Sequence, residues 1–437
     1  MQLFKSLKLK TKNLLKISSF QILIMFRRGM FYTFLSIYLR FVLDLSVTET
    51  TLFATMPMLV NIFFQNFVWG KVSDKFQKRR TLIILGEILA AAGTVLTWYI
   101  HHIEDTPRVA GYIIIIGFSV IEIFWSMSNL GWTAIISDLF EAEDRASVRG
   151  KLAGIGGIGR ILGVTLGGIV YDGMGHYYEG WGFDQGALFF IATVLMVLST
   201  IPIFMLPEGG VSKNEIIDNK IEDDEKAEKI KSKKVKLFTI FIISMAFINF
   251  GRNSIATIKS QYFSLESGLN VSSQTLSYIV NMRSLAFIVF GFLIGFLVHK
   301  YKEEKILMAG AIIGFVHLIG FAEIYNLPSM FINNFLAGVS HVVILAASYS
   351  VASKLIPPIK RGRLFAIYNA TLFLSWGIAG TLIAGPVADY LHHIGWSQLK
   401  SYKASFYAGS LLVLIGTAIL IVFLIKYKKA NEASEAV

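Results

Sequence analysis

The stretch RGMFYTFLSIYL, residues 28–39, begins with an arginine inside an apolar run that is long enough to belong to a membrane span. A second stretch, RNSIATIKSQYF at residues 252–263, carries Arg, Thr, Ser and Tyr at the same four positions, at an offset of 252 − 28 = 224. GKVSDKFQKRR from Gly70 aligns with GFLVHKYKEEK from Gly295 at an offset of 295 − 70 = 225. Two stretches with nearly one offset indicate an internal repeat, so we expect two similar halves.

Composition places the chain in a membrane. Of its 437 residues 54% are hydrophobic and 16% are charged, which is too apolar for a soluble domain. Apolar runs of about 20 residues, the length of one helical span, recur along the whole chain. We therefore predict an all-α membrane protein with spans near residues 17–44, 50–70, 81–100, 110–138, 149–172, 187–206, 236–264, 273–299, 305–325, 329–355, 362–391 and 402–427.

The charged residues predict the domain organisation and the orientation. A charged stretch with few aromatic residues separates the sixth and seventh spans, so we expect a six-helix bundle at 1–206, a cytoplasmic linker at 207–235 and a second six-helix bundle at 236–437. Lysines and arginines crowd every other loop and both ends of the chain. By the positive-inside rule both termini face the cytoplasm. We expect the protein to lie in the lipid bilayer of the cell membrane.

Several function classes are excluded by composition and spacing. The net charge is +12, but the basic residues lie in short segments between spans and not in one stripe, so no nucleic-acid partner is expected. The chain has no cysteine. No metal-ligand spacing, nucleotide signature or grouping of a nucleophile with its base stands out. We expect no metal, no cofactor and no enzymatic activity.

Residues 70–80, between the second and third spans, resemble the signature G-x-L-x-D-R-x-G-R-[KR] of the major facilitator superfamily (MFS), with Gln77 where the family usually has glycine. The resemblance implies the MFS fold, which consists of twelve transmembrane helices in two pseudo-symmetric six-helix bundles. It also implies secondary transport by alternating access, and we expect a monomer. Solute sites near the midplane are typical of such repeated bundles.

The same resemblance implies a conformational latch. In the family, the acid at the position of Asp74 is thought to hold the two halves in the outward-facing state, and Arg145, at the cytoplasmic end of the fourth span, looks like its partner. Gly70 and Arg79 complete the predicted latch. The alternative is that these charges only orient the protein in the membrane.

The fifth span contains glycines at helical spacing, which resemble a motif of drug and proton antiporters: Gly150, Gly159, Gly163, Gly167 and Gly168. Val164 stands at the motif's proline position. The simpler explanation is that the glycines let another helix approach closely.

Charged side chains near the middle of a span are costly and need a partner or a water-filled cavity. The candidates are Arg27, Arg28, Glu122, Arg160, Arg252, Arg283, His317 and His341. Arg27 has no counterpart in the second half, so we expect it to pair locally or to reach the membrane surface.

The repeat-related arginines predict an anionic solute. Arg28 and Arg252 occupy equivalent positions, and this pair resembles the organophosphate/phosphate exchangers, in which one arginine from each half grips the anion. Arg283 lies in the eighth span, where monocarboxylate and oxalate carriers of the superfamily keep an arginine. Tyr32 shares the face of Arg28. We count Glu122 as the single clear acid of the membrane interior, so a bound anion offsets the surplus of arginines.

Glu122 and Arg160 lie at similar depths in the fourth and fifth spans, so they could meet, as in symporters of the lactose-permease type. Their pairing is either a structural tie or a part of solute or proton binding. His317 and His341 could carry a coupled proton, and so could Glu122. Each histidine could equally be a buried neutral side chain.

We therefore predict a secondary transporter for a small anionic organic solute or phosphate ester, driven by proton coupling or by exchange. The predicted solute ligands are Arg28, Arg252, Arg283, Arg160 and Tyr32. A proton-coupled sugar symporter and a multidrug/proton antiporter of the same superfamily remain open, and an intramembrane enzyme or lipid scramblase is the alternative outside transport.

Overall fold

The structure is a computed structural model that describes residues 2–140, 142–173, 180–209, 228–356 and 361–435. Within these ranges the chain forms helices and no strand. In the same ranges, 12 helices are long and apolar enough to cross a membrane. The prediction of an all-α membrane protein with twelve transmembrane helices is therefore confirmed.

Sixteen α-helices are described. In the first part they are α1 Gln2–Ile37, α2 Val47–Phe64, α3 Gly70–Phe76, α4 Arg79–His102, α5 Pro107–Leu139, α6 Ala142–Tyr171, α7 Trp181–Asp184 and α8 Ala187–Phe204. In the second part they are α9 Glu228–Ser254, α10 Ile258–Ser264, α11 Ser273–Lys300, α12 Glu303–Ala322, α13 Leu327–Leu355, α14 Arg361–Ala379, α15 Gly385–His393 and α16 Gln398–Glu435. The spans differ from the predicted ones by a few residues at their ends.

In the described part of the chain, three spans contain a π-helical segment, and hydropathy did not predict any of the three. The segments are Tyr38–Val42 after α1, Gln65–Trp69 after α2 and Gly380–Ala384 after α14. A π-helical turn is wider than an α-helical one and changes the direction of the side chains that follow it. An apolar run shows the length of a span but not the local hydrogen-bond pattern, so hydropathy cannot detect these turns.

The seventh span is interrupted two residues after Arg252. Helix α9 ends at Ser254 and α10 begins at Ile258. The hydroxyl of Ser254 donates to the carbonyl oxygen of Gly251 at 2.8 Å. Bonds of this kind compete with the helical hydrogen-bond ladder and bend a helix. The predicted span 236–264 therefore contains most of α9 and the whole of α10, and it is not one continuous helix.

The chain divides into two compact units, Met1–Asn219 with Val271–Ser284 and Lys220–Asn270 with Leu285–Val437. Helix α11 thus begins in the first unit and ends in the second. The predicted bundles at 1–206 and 236–437 stay a prediction, and residues 210–227 of the predicted linker lie outside the described ranges.

In the first unit, α1 and α6 pack through the glycines of the fifth span. A Cβ atom added at Gly163 would lie 1.9 Å from the carbonyl oxygen of Phe26, and one at Gly159 would lie 2.4 Å from that of Ile22. No residue larger than glycine fits these positions without moving the backbone. The glycine spacing therefore reflects close helix packing, which was the simpler of the two explanations.

In the second unit, α9 packs against α16 by a similar contact. A Cβ atom added at Gly251 would lie 2.4 Å from the carbonyl oxygen of Gly409. Before Gly251 along α9, large apolar side chains of α9, α12, α13, α14 and α16 form a buried cluster that includes Phe241, Tyr368 and Phe423. This packing places Arg252 inside the unit, one residue after Gly251.

Candidate solute-binding site

Arg27 forms an ion pair with a carboxylate that the sequence analysis overlooked. Its Nη1 donates to Glu87 Oε2 at 2.8 Å, and both side chains are almost fully buried, with 4% and 2% of their surface exposed. Ser128 Oγ donates to the other oxygen, Oε1, at 2.8 Å. The guanidinium also lies over the ring of Trp125, 4.5 Å from its centroid. The expectation that Arg27 pairs locally is confirmed.

The count of a single acid in the membrane interior is wrong, because Glu87 is a second one. It lies in the middle part of α4, next to Gly86, where a Cβ atom would come within 2.6 Å of the carbonyl oxygen of Phe124 on α5. This close approach of α4 and α5 encloses the carboxylate. A lone glutamate within the apolar run of the third span was the signal in the sequence, and it should have been counted with the others.

Arg28, the next residue, is exposed within the first unit and makes no ion pair with a described residue. One helical turn further, Tyr32 is half-buried among aromatic rings, with centroids 6.3 Å from Phe53 and 6.4 Å from Trp125. Adjacent residues of a helix point about 100° apart. Because Arg27 is fixed by Glu87, Arg28 is presented on a different, accessible face of α1.

Glu122 is half-buried on α5 and is bound by an amide, not by an arginine. Asn61 Nδ2, on α2, donates to Glu122 Oε1 at 2.5 Å. Among the described residues there is no ion pair between Glu122 and Arg160, so the expected pairing of these two is wrong. Similar depth does not make two helices neighbours, and α6 packs on α1 instead of on α5. The backbone of Arg160 consequently lies against Gly29.

Arg252 is a buried cation of the second unit, and two of its nitrogens have no described hydrogen-bond partner. Only 6% of its surface is exposed, and its Nη2 donates to Asn249 Oδ1 at 3.1 Å. Its Nε and Nη1 are buried and have no hydrogen-bond partner among the described residues, and the same holds for Asn249 Nδ2. The side chain passes Gly314 of α12, where a Cβ atom would lie 3.9 Å from Arg252 Cδ. Buried hydrogen-bond donors without acceptors are costly, so the surroundings of Arg252 suit a ligand that supplies the acceptors.

Lys259 lies beyond the interruption of the seventh span and is also buried. Its Nζ donates to Asn334 Oδ1 of α13 at 2.6 Å and lies over the ring of Phe321, 5.5 Å from the centroid. The amide and the ring are neutral groups. The second unit thus holds two buried cations on the two pieces of one span.

The remaining predicted residues have other surroundings. Arg283 is half-buried on α11, in the portion assigned to the first unit. His317 is buried on α12 with its ring edge against Phe321, 5.6 Å between centroids. His341 stacks on Phe287 at 5.0 Å. The predicted residues are therefore distributed over both units and are not gathered within one, and the two histidines lie against aromatic rings.

The predicted latch is described only in part. The guanidinium of Arg79 donates to the carbonyl oxygen of Ser73 at 2.6 Å, and its Nε lies 3.6 Å from Asp138 Oδ2. Gly70 begins α3. The side chains of Asp74 and Arg145 lie outside the described residues. Asp138, at the end of the fourth span, is a partner of Arg79 that the sequence analysis did not identify.

One carboxylate just outside the spans has an altered acidity. Asp172 follows the end of α6 and accepts a hydrogen bond from Ser273 Oγ, at the start of α11. Burial raises the pKa of the Asp172 carboxyl, and the hydrogen bond opposes this in part. In the described part of the chain, no group of three or more histidines and carboxylates is arranged to hold a metal ion.

A known protein family matches most of the chain. Residues 14–399 match the model of the MFS_1 like family, which covers nearly the whole chain. The chain belongs to the MFS_1 like family. It is a multi-pass membrane transporter of the major facilitator superfamily, as its signature and its span count predicted.

This MFS transporter has a curated relative with a partial match. The Uncharacterized MFS-type transporter C18.02 of Schizosaccharomyces pombe (strain 972 / ATCC 24843) is 24% identical over 157 residues, which is 36% of this chain and 31% of the relative. The match thus spans about a third of that relative's length.

Solved structures show the same fold at low identity. A crystal structure of a mutant of the nucleoside transporter NupG superposes with a TM-score of 0.73 and 14% identity, over 94% of this chain and 99% of the other. A bacterial homologue of the human lysosomal transporter Spinster, in an inward-facing and unoccupied conformation, gives 0.70 and 14%, over 96% and 98%. At this identity the likeness supports the MFS fold alone.

Proposed function

We propose that this MFS transporter moves a small anionic organic solute or a phosphate ester by alternating access. The solute is held mainly by Arg252 and Arg28, with help from Arg283, Arg160 and Tyr32. Transport is coupled to protons or to the exchange of a second anion. The protein works as a monomer in the cell membrane with both termini in the cytoplasm.

The observation that carries the proposal is the state of Arg252. Its guanidinium keeps its charge under all physiological conditions, and it is buried with two of three nitrogens unpartnered by described residues. Asn249, one turn earlier, adds a third unpartnered donor. A carboxylate or phosphate supplies several acceptors and a compensating charge together. A sugar supplies acceptors but no charge, so an anion fits these donors better.

Arg28 supports the proposal in a different way. It is the repeat counterpart of Arg252, it is accessible within its unit, and no described carboxylate pairs with it. Tyr32 lies on the same face of α1 and presents an aromatic ring beside it. The helix therefore offers an accessible cation next to an apolar surface, which suits an organic anion.

For proton coupling we propose Glu122 together with His317 and His341. Glu122 is bound by the neutral amide of Asn61 and has no ion pair with Arg160, so it can gain or lose a proton without breaking a salt bridge to that residue. For the latch we propose Gly70, Asp74, Arg79 and Arg145, as the family motif implies.

The main alternatives within transport are a proton-coupled sugar symporter and a multidrug/proton antiporter. The antiporter alternative depends on the glycines of the fifth span. Gly159 and Gly163 let α6 pack closely against α1, and this packing accounts for their presence without any role in drug export. We therefore keep the anion carrier as the proposed function.

The proposal is tested by ligand binding followed by transport. The purified full-length chain is heated in detergent with inorganic phosphate, glycerol 3-phosphate, butyrate, succinate, lactose or tetraphenylphosphonium, since a ligand that binds the folded protein raises its melting temperature. We expect stabilisation by at least one anion, and uptake of that anion into proteoliposomes.

The variants R252A and R28A should lose this uptake, whereas K400Q, which removes an exposed charge far along the chain, should retain it. Stabilisation by lactose or by the lipophilic cation alone would contradict the proposal. Unchanged anion uptake by both arginine variants would contradict the site assignment.

A further inference from the structure

Five charged side chains of the first unit belong to one cluster: Arg27, Arg28, Arg160, Glu87 and Glu122. Arg27 pairs with Glu87, Arg28 follows Arg27 in α1, and the backbone of Arg160 lies against Gly29 of the same helix. Glu122 interacts electrostatically with Arg28, Arg27 and Glu87. Arg160 interacts with Arg28. Arg27 and Glu87 are buried, so their charges are screened weakly and act on any anion that binds at the neighbouring Arg28.

The two carboxylates of the cluster have different tasks. Glu87 accepts one hydrogen bond from Arg27 and one from Ser128, each at 2.8 Å, and is 2% exposed. Glu122 is half-buried and accepts from a neutral amide. Glu87 is thus a fixed negative charge that is committed to Arg27, whereas Glu122 can respond to the solute or to a proton.

Together these groups set a charge balance. The cluster has three arginines and one carboxylate, Glu87, that is committed to an ion pair, and Glu122 adds a second negative charge only when it is ionised. Arg27 and Glu87 cancel each other, so the positive charge that reaches a solute comes from Arg28 and Arg160. Without Glu87, the same cluster would present one more positive charge, next in sequence to the proposed solute ligand.

We propose that Glu87 is a specificity-determining residue, which neutralises Arg27 and thereby limits the charge of the anion that the carrier accepts. This inference rests on the proposed function, because it concerns the choice among anions. Glu87 does not touch the solute. It acts through Arg27 and the cluster, by removing a positive charge that would otherwise favour doubly charged solutes over singly charged ones.

A purely structural role for Glu87 makes a different forecast. If the pair only ties α1, α4 and α5 together, its loss lowers the stability of the fold and the affinity for all anions to the same degree. If Glu87 sets the charge, its loss changes the ratio of affinities between anions of different charge. The ratio is therefore the measurement that separates the two roles.

The test uses butyrate and succinate, which have four carbons each and carry one and two negative charges at neutral pH. Their binding to the purified full-length chain is measured for the parent, for E87Q and for the charge-balanced double variant R27Q/E87Q. In E87Q we expect the ratio of succinate to butyrate affinity to rise at least about fivefold. The reason is that one extra positive charge beside Arg28 attracts a dianion more strongly than a monoanion. In R27Q/E87Q the ratio should return toward the parent value.

D105N is the matched control, since it removes one negative charge from an exposed loop outside the cluster. If E87Q does not fold, R27K/E87Q replaces it, because a lysine keeps the charge on a flexible side chain that can reach water. The same rise in the ratio is expected there. Binding and transport of the other anions by the parent report on the proposed function independently.

An unchanged ratio in a folded E87Q or R27K/E87Q protein overturns the inference, and so does an equal rise in D105N. A parent that binds neither butyrate nor succinate also overturns it. If the parent binds no anion at all, inorganic phosphate included, then the proposed function itself has failed.

Discussion

The two units hold their buried arginines in opposite ways. In the first unit, Arg27 is paired with Glu87, supported by Ser128 and covered by Trp125. In the second unit, Arg252 has only the amide of Asn249, and two of its nitrogens have no described partner. Arg27 keeps one unpartnered nitrogen, Nε, but its charge is matched by a carboxylate, whereas Arg252 has two unpartnered nitrogens and no described carboxylate partner. The comparison separates structural arginines from candidate solute ligands.

The sequence repeat relates positions but not environments. Arg28 and Arg252 are equivalent in the alignment, yet the first is exposed in its unit and the second is 6% exposed. The helices that carry them also differ, because α1 continues past Arg28 whereas α9 ends two residues after Arg252. The two repeat-related arginines to which we assign the solute therefore have different surroundings.

The largest expected effect comes from breaking the pair in the first unit. In E87Q, the charge of Arg27 remains buried without its partner, which should lower the free energy of unfolding by about 3–5 kcal/mol. In R27M/E87L, both charges are gone, so most of this loss should be recovered. Thermal unfolding of the purified variants in detergent, without added anion, measures both effects. If R27M/E87L is as unstable as E87Q, then the pair is not what stabilises this region.

A smaller loss is expected where the helices of the first unit pack most closely. G163A places a Cβ atom where only 1.9 Å separates it from the carbonyl oxygen of Phe26, so α1 and α6 must move apart. We expect a loss of about 2 kcal/mol or more in the free energy of unfolding. G295A is the control, because no atom lies within 4 Å of its added Cβ, and its stability should be unchanged or slightly higher. Equal melting temperatures for the two variants would disprove the packing argument.

In the second unit, the removal of a buried arginine should act with the opposite sign. R252M removes a buried charge that has no described counter-charge, so without anion the protein should be more stable by about 1–2 kcal/mol. R27M, in contrast, leaves Glu87 unpaired and should be destabilising. Melting temperatures of the two variants in anion-free detergent give the signs directly. A destabilised R252M would mean that Arg252 has a stabilising partner, and the contrast between the units would be lost.

The smallest expected effect is a pH dependence at the end of the fifth span. Burial raises the pKa of Asp172 in the folded protein, so the folded state holds this proton more tightly than the unfolded state. Its contribution to stability is present at low pH and is lost as pH rises from the ordinary pKa of an aspartate through the raised one. D172N should therefore be more stable than the parent at pH 7, by less than about 1 kcal/mol, and equal to it near pH 3. A stability difference that does not vary with pH would contradict this.

Hydropathy and the repeat predicted the fold well, since twelve apolar runs and the signature at residues 70–80 depend on composition and spacing. The site was harder to predict. Glu87 was missed although its charge is visible in the third span, and Arg160 was matched to Glu122 by depth alone. The depth of a residue in the membrane can be counted from the end of its span. Which helices are neighbours depends instead on close packing contacts such as the one at Gly163. The interruption after Arg252 depends on local hydrogen bonds, to which hydropathy is blind.

The central claim is that Arg252 binds an anion through Nε and Nη1, which have no hydrogen-bond partner among the described residues. The most direct test is the dependence of the melting temperature on phosphate and carboxylate concentration in the parent and in R252M. We expect the parent to be stabilised by at least one anion, and R252M to start from a higher melting temperature and gain nothing from that anion. A variant that is less stable than the parent without anion, yet is stabilised by anions to the same extent, would contradict the claim.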